Sequence, residues 1–567
     1  MRFGLFYEHQ LPRPHVEGAE EKLLRDALEQ VELADRLGFH SVWEVEHHFL
    51  EEYSHSSAPE VFLAAASQRT RQIRLGHGIV QMPPAYNHPA RVAERIATLD
   101  LISGGRVEFG TGESSSQAEL GGFGVDRDLK RAQWEEALEV STRMLVEEPF
   151  GGHQGRFLSV PPRNLVPKPK QKPHPPLWVA CSRRDTILLA ARKGMGALSF
   201  SFVEPEEARG WVDDYYAIIQ SEQCQPAGFA VNPNVAVVVP FMCHEDEQMA
   251  IERGIDGAHF FGYSLAHYYV FGEHRPGRTN LWEEFQRDRD KRGFSRGLIT
   301  ANDAPLPVRL LQETLGSLRG AIGTPRQVTD LIERYAQAGV DEVIFVSQAG
   351  RNQHEHICES IELFSREVLP RFAERLPAHE AEKRARLAPS IERASARRPS
   401  RSPHPAPESY TIAPDREPWH HVTANGHTQA APRDLGQRAF GWLLKRRTDA
   451  QLERIFGSAV GQALIFRGMQ RAFEASRSDG LYGTLQYHLD GRTSTRSWLV
   501  RVGDGHLQAR PGVDPHPTAT LRMPAATFPR MAAGQQTTGA AAMTGKLQLE
   551  GDLKLVARFG EVLQPPS

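Results

Sequence analysis

The chain has 567 residues, 40% of them apolar and 24% charged, with a net charge of −3 at pH 7. That length exceeds a single hydrophobic core, so two or more domains are expected, and the composition is ordinary for a globular protein. The near-neutral charge excludes a global field that recruits nucleic acid, and four cysteines without a CxxC pair exclude a disulfide framework and a CxxC zinc site.

The N-terminus "MRFGLFYEHQLPRP" lacks the apolar stretch of a secretion signal, and no run is long enough for a bilayer. A soluble cytoplasmic protein with no stable membrane insertion is expected. Strand-like runs follow in order: "RFGLFY" from Arg2, "SVWEV" from Ser41, "IRLGHGIV" from Ile73 and "VEFGTG" from Val107. Then come "LWVA" from Leu177, "ALSFS" from Ala197, "VAVVVPFM" from Val235 and "EVIFVS" from Glu342. Most are apolar throughout, as in strands covered on both faces. Helical patterns lie between them; two close on Gly38 and Gly339, the usual helix stop. Eight strands alternating with helices predict an α/β fold, a (β/α)₈ TIM barrel with insertions. A doubly wound sheet would place a Gly-rich turn after strand one, where "YEHQLPRP" stands instead.

An aromatic-rich insertion runs from His259 to Pro307. Three readings stay open for it: a cap over an apolar ligand, a subdomain core, or a contact in a homodimer. From 377 to 436 the chain is rich in Pro, Ala, Ser and Arg and poor in aliphatic residues, which predicts a flexible, disordered linker. Its basic residues Lys383, Arg384, Arg386, Arg393, Arg397, Arg398 and Arg401 lack interleaved aromatics and read as a solvated spacer. The domains expected are thus a barrel over 1–376, the linker, and a small α+β domain over 437–567, whose strands alternate with hairpin turns at Asp490-Gly491 and Asp504-Gly505.

Barrel active sites form where strands end at the C-terminal face. Strand two ends at Glu46-His47-His48, strand three near Gly78-Ile79-Val80-Gln81, strand four at "GTGESSS" (Gly110 to Ser116), strand five at "ACSRRDT", and strand six at Ser199 to Ser201. Polar and small residues thus converge on one rim. A zinc site from Glu46, His47 and His48 is disfavoured, because adjacent residues on extended chain point to opposite sides. "GTGESSS" has no P-loop lysine, and its glycines allow backbone to approach a flat ring. "SRRDT" opens a helix whose N–H groups can hold a phosphate, or Ser182 is a plain N-cap. Cys181 reads as a packed side chain.

The stretches "MRFGLFYEHQLP", "LGFHSVWEVEHHF", "LGHGIVQMPPAYNHPARVAERIATLDLISGGRVEFGTGE" and "AIGTPRQVTDLIERYAQAGVDEVIFV" resemble the bacterial luciferase-like flavin monooxygenases, in order, from Met1 to Leu376. The resemblance implies a barrel that binds reduced FMN from a separate flavin reductase and uses O₂ to oxygenate an organic substrate. It implies that His47 is a base near the flavin, with His48 and Glu46 as neighbours; a neutral imidazole can accept a proton near pH 7 and return it. It implies a non-prolyl cis peptide between Gly78 and Ile79 under the flavin ring, with Gly112 and Glu113 at the cofactor. Ser182, Arg183 and Thr186 would hold the FMN phosphate. Glu113 departs from the family, which carries a phosphate-pairing arginine there; Arg183 or Arg184 would then supply the charge, or Glu113 would face substrate, or the cofactor would differ. A deazaflavin-dependent oxidoreductase and a non-catalytic flavin- or lipid-binding protein are the alternatives.

The segment from Phe440 to Pro565 resembles the sterol carrier protein type 2 family through "YGTLQYHLDGRTSTRSWLVRVGDGHLQARPG" and "GKLQLEGDLKL". That resemblance implies a sheet and helices around an apolar tunnel. The fusion implies a lipophilic small molecule bound by the carrier and delivered to the barrel; a dimerisation or regulatory module is the alternative.

Overall fold

The computed structural model describes residues 1–200, 204–291 and 319–398. In the C-terminal region it describes 447–473, 481–492, 494–503, 506–532, 541–542 and 544–552, with Leu444, Leu555, Val556 and Phe559. Ser201, residues 292–307 of the insertion, 399–436 of the expected linker and the Asp504-Gly505 turn lie outside the described residues. The chain divides into two compact units, Met1–Arg416 and Glu417–Ser567.

Eight parallel strands close the first unit into a ring: β1 (Arg2–Tyr7), β2 (Ser41–Glu44), β3 (Arg74–His77), β4 (Val107–Gly112), β5 (Leu177–Cys181), β6 (Gly196–Ser199), β7 (Val235–Cys243) and β8 (Glu342–Val346). Each pairs with its sequence neighbour, and β8 pairs with β1 in the register Leu5↔Phe345. This is the expected (β/α)₈ barrel, and its strands are those the apolar runs predict. Alternation sorts their side chains. Phe6, Trp43, Trp178, Val238 and Ile344 fill the inside, while Phe3, Leu5, Val42, Val237 and Phe345 pack under the helices. β3 breaks at Gly78-Ile79 and resumes as Val80–Gln81 against β4.

The helices are α1 (Ala19–Arg36), α2 (Pro59–Arg69), α3 (Pro89–Ile102), α4 (Gln117–Gly122), α5 (Lys130–Val146), α6 (Arg184–Arg192), α7 (Pro205–Ile219), α8 (Glu247–Ala266), α9 (Leu281–Asp288), α10 (Pro325–Gln337), α11 (His354–Glu367), α12 (Leu369–Ala373) and α13 (Leu376–Ala396). Gly38 and Gly339 do follow α1 and α10, with φ of 89° and 84° that suit a residue without Cβ.

One expectation is corrected here. Residues 377–396 are not a spacer but most of α13, whose Leu387 and Ala394 are fully buried. Lys383 donates from Nζ to Asp341 Oδ1 (2.5 Å) and Asn234 Oδ1 (2.6 Å) beside the starts of β7 and β8. Few aliphatic residues suffice, because a paired lysine with an apolar stem does part of the docking.

The insertion after β7 covers the barrel mouth. Phe260, Phe261, Tyr263 and Tyr268, from α8 and the π-helical turn His267–Phe271, join Trp282 and Phe285 of α9 in the same core cluster as the inward-facing barrel residues. Of the three readings, the cap describes its packing. Two consecutive glutamates after β2 fasten it. Glu52 accepts from the α9 N–H groups of Leu281 (2.5 Å) and Trp282 (3.1 Å), and Glu51 accepts from Gly277 N (2.8 Å) and faces His274 Nε2 (3.1 Å).

In the second unit, β9 (Gly483–Asp490), β10 (Thr495–Gly503), β11 (His506–Pro511), β12 (Ala519–Pro524) and β13 (Gln548–Gly551) form one sheet in the order β11-β10-β9-β12-β13. Asp490-Gly491 lies in the β9–β10 hairpin, as its sequence predicts. Helices α14 (Asp449–Phe456), α15 (Ala459–Ala472) and α16 (Thr527–Ala532) accompany the sheet, and Phe466, Tyr487, Trp498 and Phe528 pack ring to ring in its core.

Candidate active site

The strand order brings Glu8 (after β1), His47 (after β2), Gln81 (after β3) and Glu119 (on α4, after β4) to one mouth. His47 Nδ1–H donates to Glu119 Oε1 (2.9 Å), and the His48 amide donates to the same oxygen (3.0 Å). Ser114, turned by a φ of 64°, donates to Glu119 Oε2 (3.2 Å). Across the ring, His47 Nε2 lies 3.7 Å from Glu8 Oε2. Tyr53 O–H donates to the other Glu8 oxygen (2.9 Å).

This setting changes the character of His47. Burial alone would favour the neutral ring, but the Glu119 and Glu8 carboxylates outweigh it and raise the imidazole to about 9. The two carboxylates thus favour the imidazolium over the neutral ring at neutral pH. Burial raises Glu8 in turn to about 7, against the opposing pull of His47 and the Tyr53 hydroxyl.

The other expected residues divide. Glu46 points away from His47 toward the α3 side, accepting from Gln81 N (2.8 Å) and Asn87 Nδ2 (2.7 Å), with His48 Nε2 at 3.2 Å. It braces the loop, and His48 packs edge-on against Phe123 at 4.9 Å. The peptide between Gly78 and Ile79 is trans, since every cis bond among the described residues precedes proline. The break in β3 is made without the roughly 2.5–4 kcal/mol cost of a non-prolyl cis bond. Gly110 and Gly112 are small for a reason internal to the protein: a Cβ would strike the His77 carbonyl at one and the Ile79 side chain at the other.

Glu113 is held by a two-bond clamp from Arg131 (Nε to Oε2 2.7 Å, Nη2 to Oε1 3.0 Å) and by Lys130 Nζ at 3.2 Å. Burial would raise its carboxyl, but these cations bring it below the ordinary range. Two cations against one carboxylate leave net positive charge after β4. Neither Arg183 nor Arg184 is free to supply it alone: Arg184 pairs with Asp214, and Arg183 Nε sits 3.4 Å from Asp185. The N-cap of α6 is Arg183, not Ser182; Thr186 Oγ1 donates back to the Arg183 carbonyl (2.6 Å). Cys181 is fully buried, and burial pushes its thiol up to about 12, as suits a packed side chain.

Sequence reasoning placed Gln81 on this rim but missed Glu8, Tyr53, Glu119, Lys130 and Arg131. Glu8 is visible in "FYEHQ" as an acid directly past an apolar strand, the same signal that marks His47.

Residues 1–342 match the profile described as Luciferase-like monooxygenase. The chain belongs to that family. Residues 466–564 match the SCP-2 sterol transfer family, so this luciferase-like monooxygenase carries an SCP-2 domain at its C-terminal end. Among its relatives, the oxygenase component of a flavin-dependent trigonelline monooxygenase of Acinetobacter baylyi is 26% identical over 388 residues, 66% of this chain and 96% of that one. An uncharacterized protein, y4wF, of Sinorhizobium fredii is 39% identical over 172 residues, 30% of this chain and 48% of its own length, so the chain spans about half of that relative. The crystal structure of monooxygenase RslO1 from Streptomyces bottropensis superposes with a TM-score of 0.52 at 26% identity, covering 66% of this chain and 100% of that one. Among the described residues, no helix is long and apolar enough to cross a membrane.

Proposed function

We propose that this enzyme is the oxygenase of a two-component system, taking reduced FMN from a separate flavin reductase and using O₂ to oxygenate a lipophilic substrate. The observation that carries this is His47, held between the buried carboxylates of Glu119 and Glu8 at a barrel mouth lined by aromatic side chains. Around it, Glu8 Oε2, Gln81 Oε1 and Ser116 Oγ are buried without a hydrogen-bond partner. Buried polar atoms are normally paired, so such a group at one mouth fits a polar, planar ligand. The net positive charge of Lys130 and Arg131 over Glu113 fits a phosphate.

In this reading Lys130, Arg131 and the start of α6 (Ser182, Arg183, Thr186) hold the phosphate, and Gly78, Ile79 and Gln81 lie on the ring side. Reduced FMN supplies the two electrons that activate O₂. His47 donates an N–H to developing oxyanion charge and does not remove a proton, Glu119 fixes its orientation, and the cap excludes water. The SCP-2 domain binds the apolar substrate and raises its concentration near the barrel. A reducing, cytoplasmic setting suits four unpaired cysteines.

Anaerobic titration of the full-length protein with reduced FMN, and separately with a reduced deazaflavin, tests the reading. Saturable FMN binding followed by O₂ uptake is expected; deazaflavin binding without FMN affinity overturns it. Lipid that co-purifies with the chain supports the carrier role, and failure to take up any fatty-acyl or sterol probe removes it.

A further inference from the structure

We infer that Glu8, rather than His47, is the group that passes a proton to oxygen at the barrel mouth, with His47 held beside it as a fixed cation. The inference deepens the flavin-oxygenase reading and rests on it. Its basis is geometric. Glu8 is only 3% exposed, and directly past β1 it continues the alternation that turns Phe6 into the inner core. One oxygen is engaged by Tyr53 O–H at 2.9 Å, while Oε2 has no hydrogen-bond partner and faces His47 Nε2 across 3.7 Å. That gap is too long for a hydrogen bond, so Oε2 is the open position of the pair.

The neighbouring acids differ. Both oxygens of Glu119 accept hydrogen bonds, from His47, His48 and Ser114. Both oxygens of Glu46 are likewise taken. On His47, Nδ1–H is held by the fully buried Glu119 carboxylate and Nε2 faces Glu8 Oε2, so the ring sits as a cation between two acids. The groups that bear on Glu8 come from three elements: His47, Tyr53 and Ser54 after β2, Glu119 on α4, and Tyr269 in the cap.

The proton balance is simple. Reduced flavin and O₂ together give one oxygen atom to the substrate and release the other as water; without substrate, both oxygens leave as hydrogen peroxide. Either product needs a proton on oxygen. The Oε2–H bond of neutral Glu8 breaks, an O–H bond forms on the departing oxygen, and the resulting carboxylate faces the imidazolium. Water returns the proton to Glu8 at the end of the cycle. A group with a value of about 7 populates both forms at neutral pH.

The test uses the full-length protein with reduced FMN and O₂, reading peroxide release without substrate across about pH 5 to 10, a span that brackets the ordinary range of a general acid. The wild-type rate should fall as pH rises through about 7. Glu8→Gln should lose that inflection and run about 10²-fold slower. Glu8→Asp should keep an inflection at a shifted midpoint. Tyr53→Phe removes a donor that favours the carboxylate, so its midpoint should move to higher pH. A Glu8→Gln profile that overlays the wild type overturns the inference.

A second arm needs no flavin. Infrared titration of the unliganded protein should show a carboxylic C=O band that disappears through about pH 7 and is missing in Glu8→Gln. Absence of such a band in the wild type overturns the inference independently. Failure of the oxygenase reading looks different, because reduced FMN then does not bind at all.

Discussion

A histidine flanked by two buried acids ties this enzyme's chemistry to its stability. Folding raises His47 to about 9, so its stabilising contribution is complete below the unfolded value near 6.5 and is lost as pH climbs through 9. Folding also raises Glu8, to about 7; its protonated form contributes fully below the unfolded value near 4.5, and that contribution is lost as pH climbs through 7. Both effects point the same way, so barrel stability in urea should decline from mildly acidic to alkaline pH, and Glu8→Gln should flatten the lower part of that decline. Glu119→Gln removes the charge that most favours the imidazolium. NMR of the His47 ring should then show it titrating well below 9, while circular dichroism stays that of the wild type. "EHHF" was legible in sequence because titratable residues directly follow a buried strand. What was not legible is which acid each histidine meets: Glu8 and Glu119 reach His47 from other strands, and no local pattern records a pairing made by barrel closure.

At the scale of elements, the eight strands could be read because burial on both faces leaves continuous apolar runs. Helix α13 could not, because its docking relies on Leu387, Ala394 and a buried Lys383–Asp341 pair, which leave no apolar stripe in the sequence. Leu387→Ala should cost the first unit about 2–5 kcal/mol in chemical denaturation, the usual range for a fully buried leucine. Lys383→Met, which keeps the stem and leaves Asp341 only its bonds from Tyr216 O–H and Val235 N–H, should destabilise by about 1.5–3 kcal/mol. The glycines after β4 carry a lesson of the same kind. Their smallness suggested access for a flat ring, yet Ile79 already fills the space above Gly112. Gly112→Ala should therefore destabilise by about 1–3 kcal/mol through overpacking, and pairing it with Ile79→Val should recover part of the loss in a double-mutant cycle.

For the molecule as a whole, two cores belong to two units. The aromatic cluster of Phe466, Tyr487, Trp498 and Phe528 lies within the SCP-2 unit, and none of its members appears in the barrel clusters. Phe466→Ala should lower the melting temperature of that unit, by a loss of about 3–5 kcal/mol, while FMN titration of the barrel is unchanged. That two families follow one another along the chain was readable from motif, because each core imposes its own apolar pattern.

The paired glutamates at 51 and 52 have a practical corollary for anyone who would redesign substrate choice. They sit two and three positions beyond "EHHF", yet they secure a segment more than two hundred residues downstream. The loop bearing the histidines and the roof over them are thus stitched into one mechanical piece. A chimera that borrows a relative's roof without its matching stitches would inherit a loose cover and a displaced imidazole together, so the two segments should be exchanged as a single cassette.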